Sequence, residues 1–271
     1  VLADITQGRR VWRVQAPGFG AQLVAYPSRS EMARHSHGTA NITVILAGSF
    51  EEEIDGHDYY CEPLCVVVKP AGSVHATRTG DTGAHSLVVE VEGAMEDELR
   101  RRYGLFDQCR WFHEPCALAP CVLGLCRWLH QGGAMTDGAL DGWFARLGTA
   151  ARAAPRPVTR SSIGVHVRRA LEIMRQERAA STADVAMRLG LHPVYLARLF
   201  RTRLGCSPGQ MRQGLRLGAA LDRLVQTRDP LVRVAFASGF ADQSHLSRQV
   251  KRHAGVPAGV LRSLASGKSA S

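Results

Sequence analysis

TADVAMRLGLHPVYLARLFRTRLGCSP, residues 182–208, is answered by LVRVAFASGFADQSHLSRQVKRHAGVP, residues 231–257. Ala186 pairs with Ala235 and Gly190 with Gly239 at an offset of 49. After one inserted residue, Leu196 pairs with Leu246, Arg198 with Arg248, Phe200 with Val250 and Gly205 with Gly255 at an offset of 50. Each copy reads as a helix-turn-helix. A short first helix offers Val185, Ala186 and Leu189, or Val234, Ala235 and Ala237, for packing, and the small Ala lets a second helix come close. Gly190 or Gly239 ends that helix and supplies the left-handed backbone a tight turn needs. Leu191 or Phe240 then plugs the space between the helices. Asp242 is placed to cap the following helix in the second copy; Pro193 suits the first helical position in the first, with His192 a weaker cap.

The second helix of each copy keeps a buried stripe, Leu196, Leu199 and Phe200 or Leu246 and Val250, and exposes Arg198, Arg201 and Arg203 or Arg248, Lys251 and Arg252. Such a helix fits the major groove, with its early residues on base edges and its basic flanks on phosphate. A long helix over Pro208–Gln226, with Met211, Leu215, Ala219 and Leu224 roughly on one side, would hold two readers rigidly, one per major groove about 34 Å apart. The competing expectation is a helical repeat that binds protein. Charge favours nucleic acid: residues 155–271 carry 20 Lys/Arg against 6 Asp/Glu, +14, whereas the first 154 residues carry 14 against 18, −4. Arg outnumbers Lys 18 to 2 in the basic part, which suits bidentate contacts to phosphate and guanine.

Residues 162–264 resemble the DNA-binding domain of AraC/XylS-family transcription regulators. The resemblance rests on ASGFADQSHLSRQVKRHAGVPAGVLR, close to the family's GF-x-D-x-SHFSR signature and its closing Pro and Arg. Leu246 and Val250 stand where the family usually has Phe. The resemblance implies groove contacts from Val194, Ala197 and Arg198 in the first unit and from Gln243, Ser244, His245 and Arg248 in the second. Arg201 and Lys251 on the basic flanks complete the candidate DNA-binding set. Val194 and Ala197 would meet thymine methyls, and Arg198 a guanine-like edge.

The front of the chain differs in kind. GAQLVAYP, NITVILAGSFEEEI, LCVVVKP and HSLVVEVEG are β-rich stretches punctuated by Gly, Pro and Asp, the pattern of an antiparallel barrel or sandwich. From Ala94 the spacing turns helical, and Leu140, Trp143, Phe144 and Leu147 share a face; such helices either cover the barrel or pair two subunits. Within the strand region, His35-Ser36-His37 with Asn41 and Gly48, then Pro70-Ala71-Gly72-Ser73-Val74-His75, resemble the two cupin motifs of a jelly-roll barrel. Asn41 occupies the place of the usual metal-binding Glu. Regulators of the family often carry such a barrel as an effector domain. His35, His37, Asn41 and His75 are therefore the candidate effector-binding residues. Two His at i and i+2 of a strand face one side, so His35, His37 and His75 also form a candidate site for a divalent metal with an open position. A purely structural role, and a cupin enzyme tethered to DNA, are the remaining alternatives.

Of seven cysteines, Cys109, Cys116, Cys121 and Cys126 cluster within eighteen residues. No CxxC occurs and the count is odd, so buried thiols serving as small apolar groups are expected, with thiol-based sensing as an alternative. Glu51, Glu52 and Glu53 read as a solvated run whose faces cannot be assigned. His57, His85, His113 and His130 read as surface or core fillers. No apolar run approaches the roughly 18 residues of a membrane span, and VLADITQGRR has no apolar leader core, so a soluble cytoplasmic protein without a membrane partner is expected. The expectation is an α+β two-domain chain. A cupin-like effector and dimerisation domain over residues 1–154 joins, through a linker at 155–161, an all-α double helix-turn-helix domain over 162–264, with a disordered tail at 265–271. Double-stranded DNA, a small-molecule effector and a second copy of the chain are its expected partners, and no catalytic residue is assigned.

Overall fold

The computed structural model describes residues 8–112, 118–130, 137–153, 164–177, 180–204 and 206–266. Eight antiparallel strands build the N-terminal domain: β1 Arg9–Ala16, β2 Phe19–Tyr26, β3 Glu31–His35, β4 Ala40–Ile54, β5 His57–Cys61, β6 Val66–Lys69, β7 His75–Val91 and β8 Arg110–Phe112. Their order is β1-β2-β7-β4-β6-β8, with β3 also on β7 and β5 also on β4. The two longest strands, β4 and β7, pair along most of their length and wrap the sheet into a cupin-like barrel.

Side-chain parity in these strands positions everything inside the barrel. Asn41, Thr43 and Ile45 face a cavity, while Ile42, Val44 and Leu46 pack into the main hydrophobic core. The β4–β7 register then slips between Ile45 and Ala47 and again between Gly48 and Phe50. Extra residues at bulges move the following side chains to the other face. Phe50 and Glu52 therefore line the cavity, and Glu51 and Glu53 point outward to Arg78 and Arg34. The expected solvated acidic run is corrected at its middle residue: Glu52 is buried.

Helices α1 Gly93–Tyr103, α2 Leu118–His130 and α3 Asp137–Ala153 cover the barrel. Leu118, Val122 and Leu123 of α2, with Phe144, Leu147 and Ala151 of α3, are buried in the main core. Of the two roles open to these helices, the described apolar residues serve the first, covering the barrel.

The C-terminal domain follows as α4 Val165–Gln176, α5 Thr182–Arg188, α6 Pro193–Leu204, α7 Pro208–Gln226, α8 Leu231–Ala237, α9 Gln243–Ala254 and α10 Ala258–Ser266. The two turns are built as the repeat implies: Gly190 and Gly239 adopt φ of 66° and 81°. Asp242 Oδ1 accepts from the His245 amide at 2.6 Å, and His192 Nδ1 from the Val194 amide at 3.3 Å. Ser181 and Ser207 add capping boxes at α5 and α7. One packing assignment is corrected: Ala237 is exposed, and fully buried Ser238 takes the place of Leu189 in the second copy. Helix α10 runs to Ser266 with Ala265 buried, past the border drawn at 264. The linker at 155–161 and residues 267–271 lie outside the described residues.

The domains are in direct contact. The Gly48 amide donates to Asp222 Oδ1 of α7 at 2.6 Å, Arg175 Nε to Glu62 Oε1 at 2.8 Å, and Trp12 Nε1 to the Leu264 carbonyl at 2.7 Å. Gly48 has φ of 75°, and a Cβ there would lie 1.8 Å from the Gly83 carbonyl oxygen, whereas at Gly56, φ 74°, a Cβ would meet open space. Gly56→Ala carries only the left-handed penalty of about 1–2 kcal/mol. Gly48→Ala adds a backbone collision, and its urea midpoint is expected to fall well below that of Gly56→Ala.

Candidate functional site

The barrel cavity, about 70 Å³, is lined on its apolar side by Val24, Met32, Ile45, Phe50, Val67 and Val88. Its polar side gathers every residue singled out for effector binding: His35, His37, Asn41 and His75 all line it. His35 at the end of β3 stands opposite His75 at the start of β7. The ring centroids of the three histidines are 4.4–5.1 Å apart, and one nitrogen from each lies within 4.8 Å of the others. His35 Nδ1 is 2.7 Å from the Ala33 carbonyl and His75 Nδ1 3.0 Å from the Ser73 carbonyl. Carbonyls only accept, so each Nδ1 carries a proton, and it is Nε2 that bears the lone pair in the neutral ring.

Burial, with the Lys69 ammonium nearby, lowers the pKa of both His37 and His75 to about 4. Both imidazoles are therefore neutral near pH 7. Asn41 accepts from Thr43 Oγ1 at 3.2 Å. Beside this cluster lies an ion pair that the sequence did not betray: Lys69 Nζ donates to Glu52 Oε1 at 2.7 Å, both side chains nearly fully buried. Burial alone would raise the Glu52 carboxyl, but Lys69, with His75, holds it below the usual carboxylate range. Glu52 Oε2 and Trp111 Nε1 are buried without a hydrogen bond of ordinary geometry. Glu90 stands opposite Asn41 in the sheet; Gln22 Nε2 donates to Glu90 Oε1 at 3.1 Å, and burial pushes the Glu90 carboxyl up. Tyr26 is pushed up to about 12 by burial and by Glu52 and Glu90.

Among the described residues, His35, His37 and His75 form a group that could hold a metal ion. The nitrogens of the three rings converge, His37 and His75 are neutral near pH 7, and backbone carbonyls orient His35 and His75 through Nδ1, as the second ring nitrogen of a metal-bound histidine is oriented. The buried Lys69 charge opposes a cation there, and Glu52 offsets it. The cysteines offer less. Cys61, Cys65, Cys109, Cys121 and Cys206 are not joined in disulfides, and burial raises the pKa of Cys109 and Cys121, which suppresses the reactive thiolate. Cys116 and the Cys126 side chain lie outside the described residues, as do His113 and the His130 side chain. His57 is exposed, and His85 is partly buried with its Nδ1 unpartnered.

The candidate nucleic-acid interface lies apart from the cavity, on α6 and α9. On α6, Val194, Arg198 and Arg201 are exposed and Ala197 is half-buried; on α9, Gln243, Ser244, Arg248 and Lys251 are exposed. His245 is half-buried, edge-on to Phe240 at 5.3 Å. Between them, α7 is tied to both units: Arg212 donates to the Ala180 carbonyl at 3.0 Å, and Gln213 to Gln249 Oε1 on α9 at 2.6 Å. Tyr195 was not among the residues singled out, yet it is 39% exposed beside Val194, which is 71% exposed. The offset of 50 pairs it with His245, which was singled out, and that is the signal that points to it.

Residues 23–139 match the family model described as the AraC-like ligand binding domain, and residues 185–263 match a helix-turn-helix domain model. A comparison with curated proteins finds no match. Among solved structures, ToxT from Vibrio cholerae is similar at 11% identity, covering 90% of this chain and 98% of that one, with a TM-score of 0.40. A transcriptional regulator with an AraC-type DNA-binding domain from Chromobacterium violaceum shows 29% identity over 37% of this chain and 91% of its own, with a TM-score of 0.36. The C-terminal domain of AraT, a response regulator from Geobacillus stearothermophilus, shows 27% identity over 37% and 85%, with a TM-score of 0.35. Among the described residues, no helix is long and apolar enough to cross a membrane.

Two outcomes follow from the buried charges. Because the folded pKa of His37 and His75 lies below the unfolded value of about 6.5, the unfolded chain binds more protons between about pH 6.5 and 4. Their contribution is complete above 6.5 and is lost as pH falls toward 4. Urea midpoints measured from pH 7 to pH 4 should therefore drop more steeply for the wild type than for a His37→Asn/His75→Asn variant. Separately, Lys69→Met strands a buried carboxylate and should cost roughly 3–5 kcal/mol, most of it recovered in Lys69→Met/Glu52→Leu; denaturant unfolding of the two variants provides the comparison.

Proposed function

This chain belongs to the AraC-type transcription regulators, and from that premise we propose that a small effector in the barrel controls how its two helix-turn-helix units engage promoter DNA. It is a DNA-binding regulator with a ligand-binding domain. In this reading the barrel works as a sensor rather than a catalyst, and a regulator that engages promoter DNA would work in the cytoplasm. The observation that carries the effector assignment is the convergence of three imidazoles, two of them neutral near pH 7, on a polar cavity inside the domain that holds α7. The cavity wall is rich in acceptors: the free imidazole lone pairs, Asn41, Glu52 and Glu90. A ligand that donates, through hydroxyl or ammonium protons or as a cation, suits it.

Strand β4 gives occupancy a route to DNA. Asn41 and Glu52 of β4 line the cavity, and between them the Gly48 amide holds Asp222 of the helix that spaces the two readers. A ligand that shifts β4 bears directly on that hydrogen bond. Candidate base contacts are Val194, Ala197 and Arg198 on α6 and Gln243, Ser244, His245 and Arg248 on α9, with Arg201 and Lys251 on phosphate. Two copies of the chain would bind repeated half-sites as a pair.

A second reading, a divalent metal held by His35, His37 and His75, is favoured by the protonated Nδ1 atoms that leave Nε2 free on His35 and His75. Thermal unfolding of protein purified without a histidine tag, with Zn2+, Ni2+ or members of a polyol and amine panel, tests both. Saturating ligand should stabilise the wild type by about 2.7 kcal/mol at a hundredfold excess over Kd. His35→Ala and His75→Ala should abolish the shift. Stabilisation by Zn2+ alone selects the metal reading, whereas a shift that survives both substitutions removes the effector from this cavity.

A further inference from the structure

The two candidate readers are built differently at one repeated position. In α9, His245 turns its ring edge-on to Phe240 and so leans on the core of its own unit. In α6, the equivalent Tyr195 remains exposed, and the Arg198 guanidinium lies over its ring, 5.2 Å from the centroid. Residues three apart on a helix are neighbours on its surface, and both lie in the N-terminal half of α6, which the repeat marks as the reading end. A guanidinium within about 6 Å of an aromatic face is held there by the ring's quadrupole, an attraction of about 0.5–1 kcal/mol at an exposed site.

We propose that Tyr195 is a positioning residue for sequence reading: its ring holds the Arg198 guanidinium so that both outer N–H groups reach one guanine edge. The inference rests on the assignment of Arg198 as a base contact. An arginine side chain gives up considerable rotamer entropy when it is fixed on a base. A stacked guanidinium has lost part of that freedom before DNA arrives. It also presents its planar fork as a unit, which guanine O6 and N7 require. The phenol hydroxyl has no part in this stacking, so phenylalanine should replace tyrosine and alanine should not. Arg248, whose neighbour His245 is engaged with Phe240, lacks this brace from the equivalent position. The first unit should therefore discriminate guanine more sharply than the second.

Selection from a pool of 30-bp duplexes with a randomised core, using full-length protein at fixed salt, reads the preference at every position. The wild type should enrich a guanine that Arg198→Ala no longer enriches; failure of these two results overturns the assignment of Arg198 and this inference with it. Granted that guanine, Tyr195→Ala should weaken its enrichment about two- to fivefold while other positions hold. Tyr195→Phe should keep the wild-type preference, and Tyr195→Ala/Arg198→Ala should match Arg198→Ala alone at that position. Three results overturn the role of Tyr195 while leaving Arg198 in place: unchanged guanine preference in Tyr195→Ala, an equal loss at all positions, or a Tyr195→Phe variant as impaired as Tyr195→Ala. Because the Tyr195 side chain is exposed, far-UV circular dichroism of the variants should overlay that of the wild type.

Discussion

The irregular stretch of β4 between Ile45 and Phe50 decides both what the barrel contains and how the barrel is joined to the reading helices. A regular strand continuing from Asn41, Thr43 and Ile45 would turn Glu51 and Glu53 inward. The bulges turn Phe50 and Glu52 inward instead, where Glu52 meets Lys69 across the cavity wall. The same irregularity places Gly48 in a left-handed conformation with its amide aimed at Asp222, 174 residues later in the chain. Only glycine fits, since any side chain would strike the Gly83 carbonyl. One local departure from strand geometry thus makes the cavity polar and anchors the spacer helix.

The buried ion pair is not there for stability alone. Removing two charges from water costs about as much as their attraction returns, and a hydrophobic pair of similar volume often does as well. What the pair provides is a charged wall beside the imidazoles: burial and the Lys69 ammonium depress the pKa of His37 and His75, Glu52 opposes that shift in part, and the net result leaves both rings neutral near pH 7. The cavity is small, so a ligand within it has to be matched by few and closely set polar groups.

Legibility from sequence tracked how local the determining physics is. Helix-turn-helix units are specified by residues within one turn of each other, a glycine with positive φ, an Asp cap, a small residue where helices cross, and all of these could be read directly from the repeat. Even there, Ala237 was given a buried place that belongs to Ser238, because periodicity alone is ambiguous by one residue near a helix end. In the barrel, the His35, His37 and His75 cluster could be read because its two short motifs carry their own histidines: His35 ends β3, His37 follows just beyond the strand, and His75 opens β7 opposite His35. Glu52 could not, since a bulge leaves no mark in the pattern and flips every residue beyond it. Strand β8 was also hidden: Arg110–Phe112 is three residues long and follows a helix. The apolar faces of α2 and α3 were legible as faces, but a sequence does not say whether such a face is covered by its own chain or by another.

The distribution of the core sets what effector control has to act on. Barrel strands, α2, α3, the C-terminal half of α7, and α8 to α10 share one continuous hydrophobic core, whereas α4, α5 and α6 form their own with Met211 and Leu215 of α7. The second reader is therefore packed as part of the sensor's own body. The first is joined to it through the N-terminal half of α7, by the Arg175–Glu62 pair and by the Arg175 stack on Tyr60. Breaking a continuous apolar core costs far more than breaking one half-exposed ion pair. Relative motion of the two readers is thus cheapest at α7, whose two halves belong to different cores, and Asp222 lies on the half that moves with the barrel. Under the proposed effector control, a change in β4 would be felt as a change in how the first reader is presented relative to the second, the geometric quantity that two successive major grooves test.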